Sequence, residues 1–188
     1  VKRVREANAR TQTINNAKQI GLAVHGFTDV HRRLPSDVRV AGGEAALSWR
    51  VGILPFLDQA PLYARFDQSK PWDIAPNRAL VGEIPFVYRS ILFSGNEGET
   101  PWQGFVGPGT AFDPGQPNLN LRDFTDGPSN TILFVESPRQ VPWSKPADLA
   151  YGPDLPLPPL GLPHLVTADW PLCCPVRDSA NRYFVCMA

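Results

Sequence analysis

The residues best suited to ligand chemistry lie in the segment VPWSKPADL, residues 141–149. Trp143, Lys145 and Asp148 combine an aromatic face, a cationic donor and a carboxylate acceptor in a proline-rich stretch. Aromatic faces with a few polar groups are typical of carbohydrate or peptide sites. Together with Trp72 and Trp102 they predict a ligand site on aromatic loops. The alternative is that Trp143 only fixes its loop to the core, which is the commoner role of a large apolar side chain in a loop.

The sequence predicts no catalytic centre and no cofactor. The three histidines, His25, His31 and His164, belong to no H-E-x-x-H motif, and no G-x-S-x-G motif is present. The stretch GFVGPGTAF lacks the Lys-Ser/Thr pair of a phosphate-binding loop. We therefore predict that the protein is not an enzyme.

A second cluster of polar residues surrounds the segment DGPSNTILFVE, residues 126–136. Its oxygen-bearing side chains are those of Asp123, Asp126, Ser129, Asn130 and Glu136. Calcium prefers such ligands, but their spacing is not that of an EF-hand loop. Asp126–Gly127 followed by Ser129–Asn130 is also what a tight turn requires. We interpret these four residues as a structural turn and predict no metal site.

Length and composition limit the remaining options. The 188 residues suffice for one domain with a core, and 18 basic residues balance 18 acidic ones. A neutral chain has no overall field that would attract nucleic acid, so no nucleic-acid partner is predicted. The three cysteines, Cys173, Cys174 and Cys186, lack the spacing of a zinc site. The 21 prolines predict long loops, above all in the second half of the chain.

The elements that must position these residues begin with a long helix. No proline occurs between Val1 and Thr28, and apolar or small residues recur there at helical spacing. The first turn carries Lys2, Arg3 and Arg5, where acidic residues would complement the helix dipole. We therefore expect the helix to continue upstream of Val1, the alternative being a frayed basic end.

Shorter elements are predicted in the rest of the chain. One or two short helices are expected within residues 47–66, a turn at 71–73, and a further short helix that ends before Pro85. Strands are predicted for residues 85–93, from Trp102 onward, and for 131–135 after a hairpin-like turn. From Pro138 onward the pattern predicts an extended loop over the sheet.

Several of these segments, in order, resemble a large planctomycete family of prepilin-like proteins, known as a domain of unknown function. The segments are REANARTQTINNAKQIGLAVHGFTDVHRRLP, SWRVGILPFLDQAPLYARFD, PWD with the nearby Asn77, DGPSNTILFVES and VPWSKPADL. The resemblance runs from about Val1 to Leu149. Members carry a hydrophobic pilin-type segment upstream of the residues that match VKRVREANART, with a cleavage and methylation site.

The resemblance implies an α+β, pilin-like fold in which the long helix packs on an antiparallel sheet. The expected organisation is a spine helix over residues 1–34, a globular head over 35–165 and a divergent, disordered tail over 166–188. No strand is visible in that tail, where the family usually ends on one, and divergence or a frame error near Thr167 would account for this.

The function implied is that of a pseudopilin-like assembly subunit of a type II secretion or type IV pilus-like system. Its partners would be like subunits or other pilin-type proteins, bound through the N-terminal helix. The missing upstream segment would anchor it in the inner membrane, with the head outside that membrane. The alternative function is a secreted or surface-anchored module that binds a carbohydrate or other solute at the aromatic loops.

Overall fold

The computed structural model describes residues 2–40, 42–89, 91, 96–125, 127, 130–156, 158 and 185–187. These residues form an α+β architecture with a long N-terminal helix, several single-turn helical segments and two small sheets. The helices are α1 (Lys2–His31), α2 (Trp49–Gly52) and α3 (Ala60–Tyr63), with 3₁₀ segments η1 (Leu54–Leu57), η2 (Asn77–Glu83), η3 (Phe86–Tyr88) and η4 (Leu121–Asp123). The strands are β1 (Val38–Arg39), β2 (Ala45–Leu47), β3 (Glu99–Val106), β4 (Ile132–Pro142), β5 (Leu149–Ala150) and β6 (Val185–Met187).

Helix α1 confirms the predicted long helix and extends it to His31. It ends where Arg32 adopts the left-handed conformation (φ 59°) and donates its N–H to the Thr28 carbonyl (2.8 Å), three residues before Pro35. Only its second half is buried in the head, through Ala17, Ile20, Ala23, Val24 and Phe27. Within the described residues, no helix combines the length and the apolar character needed to span a membrane.

The resemblance implies that α1 packs on the sheet. In the structure it packs chiefly on other elements. Its main contacts are with η1 and η3, with a smaller contact to β6. Gly26 allows this approach, because a Cβ there would lie 3.0 Å from the Phe56 ring of η1. The 3₁₀ segment η3 contacts both α1 and β3 and so lies between the helix and this part of the larger sheet.

The short helical elements after residue 47 are confirmed. The predicted short helices are α2, η1 and α3, and the predicted helix before Pro85 is η2. Asn77 at the start of η2 is fully buried and fixes the preceding turn: its Oδ1 accepts the Asp67 N–H (2.8 Å), and its Nδ2 donates to the carbonyls of Asp67 (2.8 Å) and Lys70 (2.9 Å).

The strand predicted for residues 85–93 is wrong where the structure describes it. Phe86–Tyr88 form η3, in which the Tyr88 N–H donates to the Pro85 carbonyl (3.0 Å). A short aromatic run cannot be distinguished from a buried helical turn by periodicity alone. Here the buried Tyr88 ring stacks on Trp143 (centroids 5.8 Å apart), and its hydroxyl donates to the Arg50 carbonyl (2.8 Å).

The larger sheet has the strand order β5-β3-β4-β6, in which β3 pairs parallel with β5 and antiparallel with β4, and β4 pairs antiparallel with β6. The strands predicted from Trp102 and at 131–135 are confirmed as β3 and β4. The hairpin-like turn leads into β4, but the described element before it is η4 and not a strand.

Two expectations about the second half are corrected by this sheet. Strand β4 continues beyond Pro138 to Pro142, because the β3–β4 register shifts between Thr100 and Trp102 and the irregularity accommodates Pro101 and Pro138. Residues 149–150 of the predicted loop form β5. Val185–Met187, for which the sequence shows no strand, form β6; the rest of the proposed 166–188 tail lies outside the described residues.

Gly104 of β3 offers a direct test of this packing. A Cβ at this position would lie 2.5 Å from two carbon atoms of the Phe112 ring, which itself packs on Trp49 (centroids 5.0 Å apart). We expect Gly104→Ala to lower the free energy of unfolding by about 1–3 kcal/mol, since the core must shift to admit the methyl group. Chemical denaturation followed by tryptophan fluorescence measures the change.

The matched control is Gly82→Ala in η2, where an added Cβ meets no atom within 4 Å. Its effect should stay within about 0.5–1 kcal/mol of the wild type. Equal effects of the two substitutions would contradict the close approach of Phe112 to β3.

Candidate functional site: a buried arginine–aspartate pair under a surface pocket

The centre of the site is Arg50, which the sequence places in the short helix α2. Ser48 caps this helix, its hydroxyl accepting the Arg50 N–H (3.3 Å), and the Trp49 N–H donates to Asp37 Oδ1 (2.9 Å). These two bonds fix the first turn, so that the Arg50 side chain enters the core with an exposed fraction of 0%. A buried guanidinium requires acceptors for its five N–H groups.

The acceptors of Arg50 come from distant parts of the chain. Its Nη1 donates to Asp148 Oδ1 at 2.8 Å, a charge-assisted bond between side chains exposed by 0% and 1%. The other acceptors are backbone carbonyls: Trp102 (2.9 Å), Trp143 (3.0 Å), Lys145 (3.0 Å) and Ala147 (3.5 Å). One side chain thus joins α2 to β3 and to the loop between β4 and β5.

The Asp148 carboxylate is only half satisfied within the described part of the chain. Oδ1 accepts from the Gly104 N–H (2.7 Å) and the Trp49 indole N–H (3.3 Å) in addition to Arg50. Oδ2 is buried and has no hydrogen-bond partner among the described residues. A buried oxygen of this kind calls for a structural or functional explanation.

A second carboxylate, that of Asp37, lies in the same electrostatic environment. Burial, and next the charge of Asp148, raise the pKa of Asp37 from 3.8 to about 6. The hydrogen bond from Trp49 and the charges of Arg50 and Arg39 act in the opposite direction. Burial and the neighbouring carboxylate together therefore outweigh that hydrogen bond and the two arginine charges.

Asp37 and Asp148 line a surface pocket of about 330 Å³. Nine of its lining residues are apolar: Leu34, Pro35, Trp49, Val106, Ala111, Phe112, Pro114, Pro117 and Leu119. Eight are polar: Arg33, Ser36, Asp37, Arg39, Asp113, Gln116, Asn118 and Asp148. Small-molecule sites combine apolar wall with convergent polar groups, and this pocket has both, with a larger polar share than is usual.

Of the residues predicted as a ligand site on aromatic loops, Asp148 lines this pocket, whereas the three tryptophans and Lys145 lie elsewhere. Trp143 is fully buried, its indole N–H donates to the Val81 carbonyl (3.0 Å), and Trp102 is 4% exposed. Trp72 is half-buried, with the Lys145 ammonium 5.5 Å from its ring centroid. Trp143 thus lies where it fixes its loop to the core, which was the alternative interpretation of this residue. Neither Trp143 nor Trp102 presents an exposed face to a ligand.

The predicted turn is described only in part, because Asp126 and Ser129 lie outside the described residues. Gly127 has a φ of +83° and donates its N–H to the Phe124 carbonyl (3.1 Å). The Asn130 N–H donates to the Gly127 carbonyl (3.1 Å). No group of three acidic, histidine or cysteine side chains within the described residues has the arrangement of a metal site.

Sequence reasoning missed Arg50 and Asp37 as members of a site. A signal for Arg50 was present, since it is the one charged residue between Ala45 and Leu57, in an otherwise apolar stretch. Such a residue is either exposed on a loop or buried with partners. No comparable signal identified Asp37, whose role depends on neighbours far away in the sequence.

A family model matches residues 2–87, and its description is "Protein of unknown function (DUF1559)", with the short name SBP_bac_10. The first half of the chain is thus similar to an uncharacterised family. The matched segment contains α1, Asp37 and Arg50 but not Asp148. No curated protein and no solved structure matches the chain.

Removing the Arg50 guanidinium should strongly destabilise the fold. We expect Arg50→Met to lower the free energy of unfolding by about 3–5 kcal/mol, because Asp148 would remain buried without its counter-ion and several carbonyls without their donor. Unfolding in guanidinium chloride measures the loss of stability. A loss large enough to unfold the variant would abolish the cooperative transition.

The control is Arg65→Met, which breaks the exposed ion pair between Arg65 and Glu83. This substitution should leave the unfolding midpoint almost unchanged, since exposed pairs contribute little. An Arg50→Met variant as stable as Arg65→Met would show that the buried network does not hold the fold together.

The burial of Glu136 in β4 leads us to expect that the stability of the protein depends on pH. Its side chain is buried, its Oε1 has no described partner, and burial raises its pKa from 4.5 to about 7. The folded state then binds the proton more tightly than the unfolded state, so the free energy of unfolding falls as pH rises from about 4.5 to about 7 and is level above that. Asp37 adds a fall between about 4 and 6 for the same reason.

We expect Glu136→Gln to be more stable than the wild type at about pH 8.5, by roughly 1–3 kcal/mol, and equally stable at about pH 4.5. Denaturation at both pH values measures this, with the exposed Glu44→Gln as the control. A stability difference that is the same at both pH values would contradict burial of the ionised carboxylate.

Proposed function

We propose that the protein is a non-enzymatic, pseudopilin-like assembly subunit of a bacterial cell envelope, of a type II secretion or type IV pilus-like system. The observation that carries this proposal is the division of α1 into two halves. At 1.5 Å per residue its 30 residues extend about 45 Å. The head buries one face of the second half, while Val4, Ala7 and Asn8 in the first half are exposed.

One face of α1 supports a packing role. Because eighteen residues make five turns of an α-helix, Val4 and Leu22 lie on the same face. They are 63% and 71% exposed, and Thr11 and Asn15 between them are exposed as well. In this proposal the α1 helices of like subunits, or of other pilin-type proteins, pack along that face as a spine.

Location in the envelope is part of the same proposal. An apolar segment of about 20 residues, encoded upstream of VKRVREANART, would continue α1 into the inner membrane. The head would then lie in the periplasm or outside the cell.

The proposal is tested by disulfide cross-linking of the full gene product in its native cells. We expect Leu22→Cys to give a cross-linked dimer in envelope fractions, because this exposed position would face the neighbouring α1. Glu44→Cys, on an exposed loop of the head, is the matched control, and the wild-type chain with its own three cysteines sets the background.

N-terminal sequencing and intact mass of the same fractions complete the experiment. A methylated apolar N-terminus continuous with VKRVREANART, together with a dimer specific to Leu22→Cys, is the expected result. A protein that begins near Val1, is absent from the envelope and forms no such dimer would overturn the assembly role.

A second candidate function, a solute-binding module, is favoured by the pocket over Asp37 and Asp148. The short name of the matching family model, SBP_bac_10, hints at the same link. Trp102 and Trp143, which were first predicted for such a site, are buried. In this second candidate function the solute would therefore bind in the pocket and not at those aromatic residues.

A further inference from the structure

The pocket over Asp37 and Asp148 has the size and lining of a site for a small solute. Its volume of about 330 Å³ is near the lower end of the range for ligand pockets, roughly 300–1,000 Å³. Leu34, Ala111 and Phe112 contribute apolar wall, and the two carboxylates contribute acceptors. A ligand here would have a short hydrocarbon part and a polar group that faces the acids.

Trp49 determines how the two carboxylates are presented. Its backbone N–H donates to Asp37 Oδ1 (2.9 Å) and its indole N–H to Asp148 Oδ1 (3.3 Å). Gly104 and Arg50 also donate to Asp148 Oδ1, so all described donors to the Asp148 carboxylate bind this one oxygen. The remaining oxygen, Oδ2, is buried on a side chain that is 1% exposed and lines the pocket, and it has no described partner. Such an oxygen is best satisfied by a donor.

The other charged groups of the pocket do not supply that donor. Arg33 donates to Ser36 Oγ (3.1 Å) and lies over the Phe27 ring, and Arg39 donates to the Gly43 carbonyl (2.6 Å). The Asp113 carboxylate, in turn, accepts from Gly109, Gly115 and Gln116. The acceptors left in the pocket are therefore Asp148 Oδ2 and the Asp37 carboxylate, and the group that would satisfy them is a hydrogen-bond donor.

We propose that this pocket binds a small solute with a primary ammonium group, which donates to Asp148 Oδ2 and to the carboxylate of Asp37 while its carbon chain contacts the apolar wall. An ammonium group has three donors and full positive charge, which matches two acidic acceptors. Burial, and next repulsion by Asp148, raise the pKa of Asp37, and relief of that repulsion by the ammonium group would add to binding. This inference rests on the second candidate function, solute binding, and is independent of the assembly role.

The test is a titration of the isotopically labelled protein followed by NMR. The reporters are the Trp49 indole N–H and the Gly104 amide N–H, both hydrogen-bonded to Asp148. The probes are butylamine, putrescine and glucosamine, with 1-butanol, butyrate and N-acetylglucosamine as their uncharged or anionic counterparts. We expect saturable shifts of both reporters with the amines alone.

Two variants and a control connect the shifts to the pocket. Asp37→Asn keeps an acceptor for the Trp49 N–H but removes the charge, and should weaken amine binding at least about tenfold. Gln116→Trp, at an exposed lining position, should block the pocket without altering the core. Asp154→Asn, which removes an exposed carboxylate outside the pocket lining, should bind amines like the wild type.

The contrary outcomes separate the inference from the function beneath it. Equal binding of 1-butanol and butylamine would overturn ammonium recognition while leaving a solute site in place. Unchanged affinity in Asp37→Asn would overturn the role of the carboxylate pair. No saturable shift with any of the six probes up to about 10 mM would overturn both the inference and solute binding at this pocket.

Discussion

The guanidinium of Arg50 is the interaction on which the remainder of the head depends. It is fully buried, and its donors reach three carbonyls between β4 and β5, one carbonyl of β3, and the Asp148 carboxylate. These segments are separated by at least fifty residues from Arg50. Because each acceptor that moved away would leave a buried N–H without its partner, the network favours this arrangement of helix α2 and the sheet.

The same constraint creates the pocket. Asp148 directs one oxygen to three donors in the core, which leaves its other oxygen buried and unpaired within the described residues. Asp37 must stay nearby because it accepts the first N–H of α2. Burial, and next the charge of Asp148, raise the pKa of Asp37, while its hydrogen bond to α2 holds it in this position. Structural necessity and a potential binding site therefore coincide in the same residues.

Helix α1 belongs to a separate part of the design. Its second half contributes to the core through apolar residues that contact η1 and η3. In its first half, every described side chain before Ala9 is exposed. In the assembly proposal, the exposed face with Val4 and Leu22 is the one that packs against a neighbouring helix. An assembly role at α1 and a solute site at the pocket use different residues, and so the two proposals are compatible.

The sequence by itself determined the elements whose signals are local. The absence of proline before Pro35 determined α1, the mixture of apolar residues and prolines between residues 47 and 66 determined the short helices, and the β-branched run after Thr131 determined the start of β4. Only the tertiary structure decided the elements that depend on distant partners. Phe86–Tyr88 became a 3₁₀ turn because Tyr88 packs on Trp143 and bonds to Arg50, and β4 passed through Pro138 because a register shift against β3 admits it. The same distinction applies to the site. The sequence identified Asp148 and Trp143 by their residue types. Their burial and their partners, which set their chemistry, depend on contacts across the chain that no local pattern encodes.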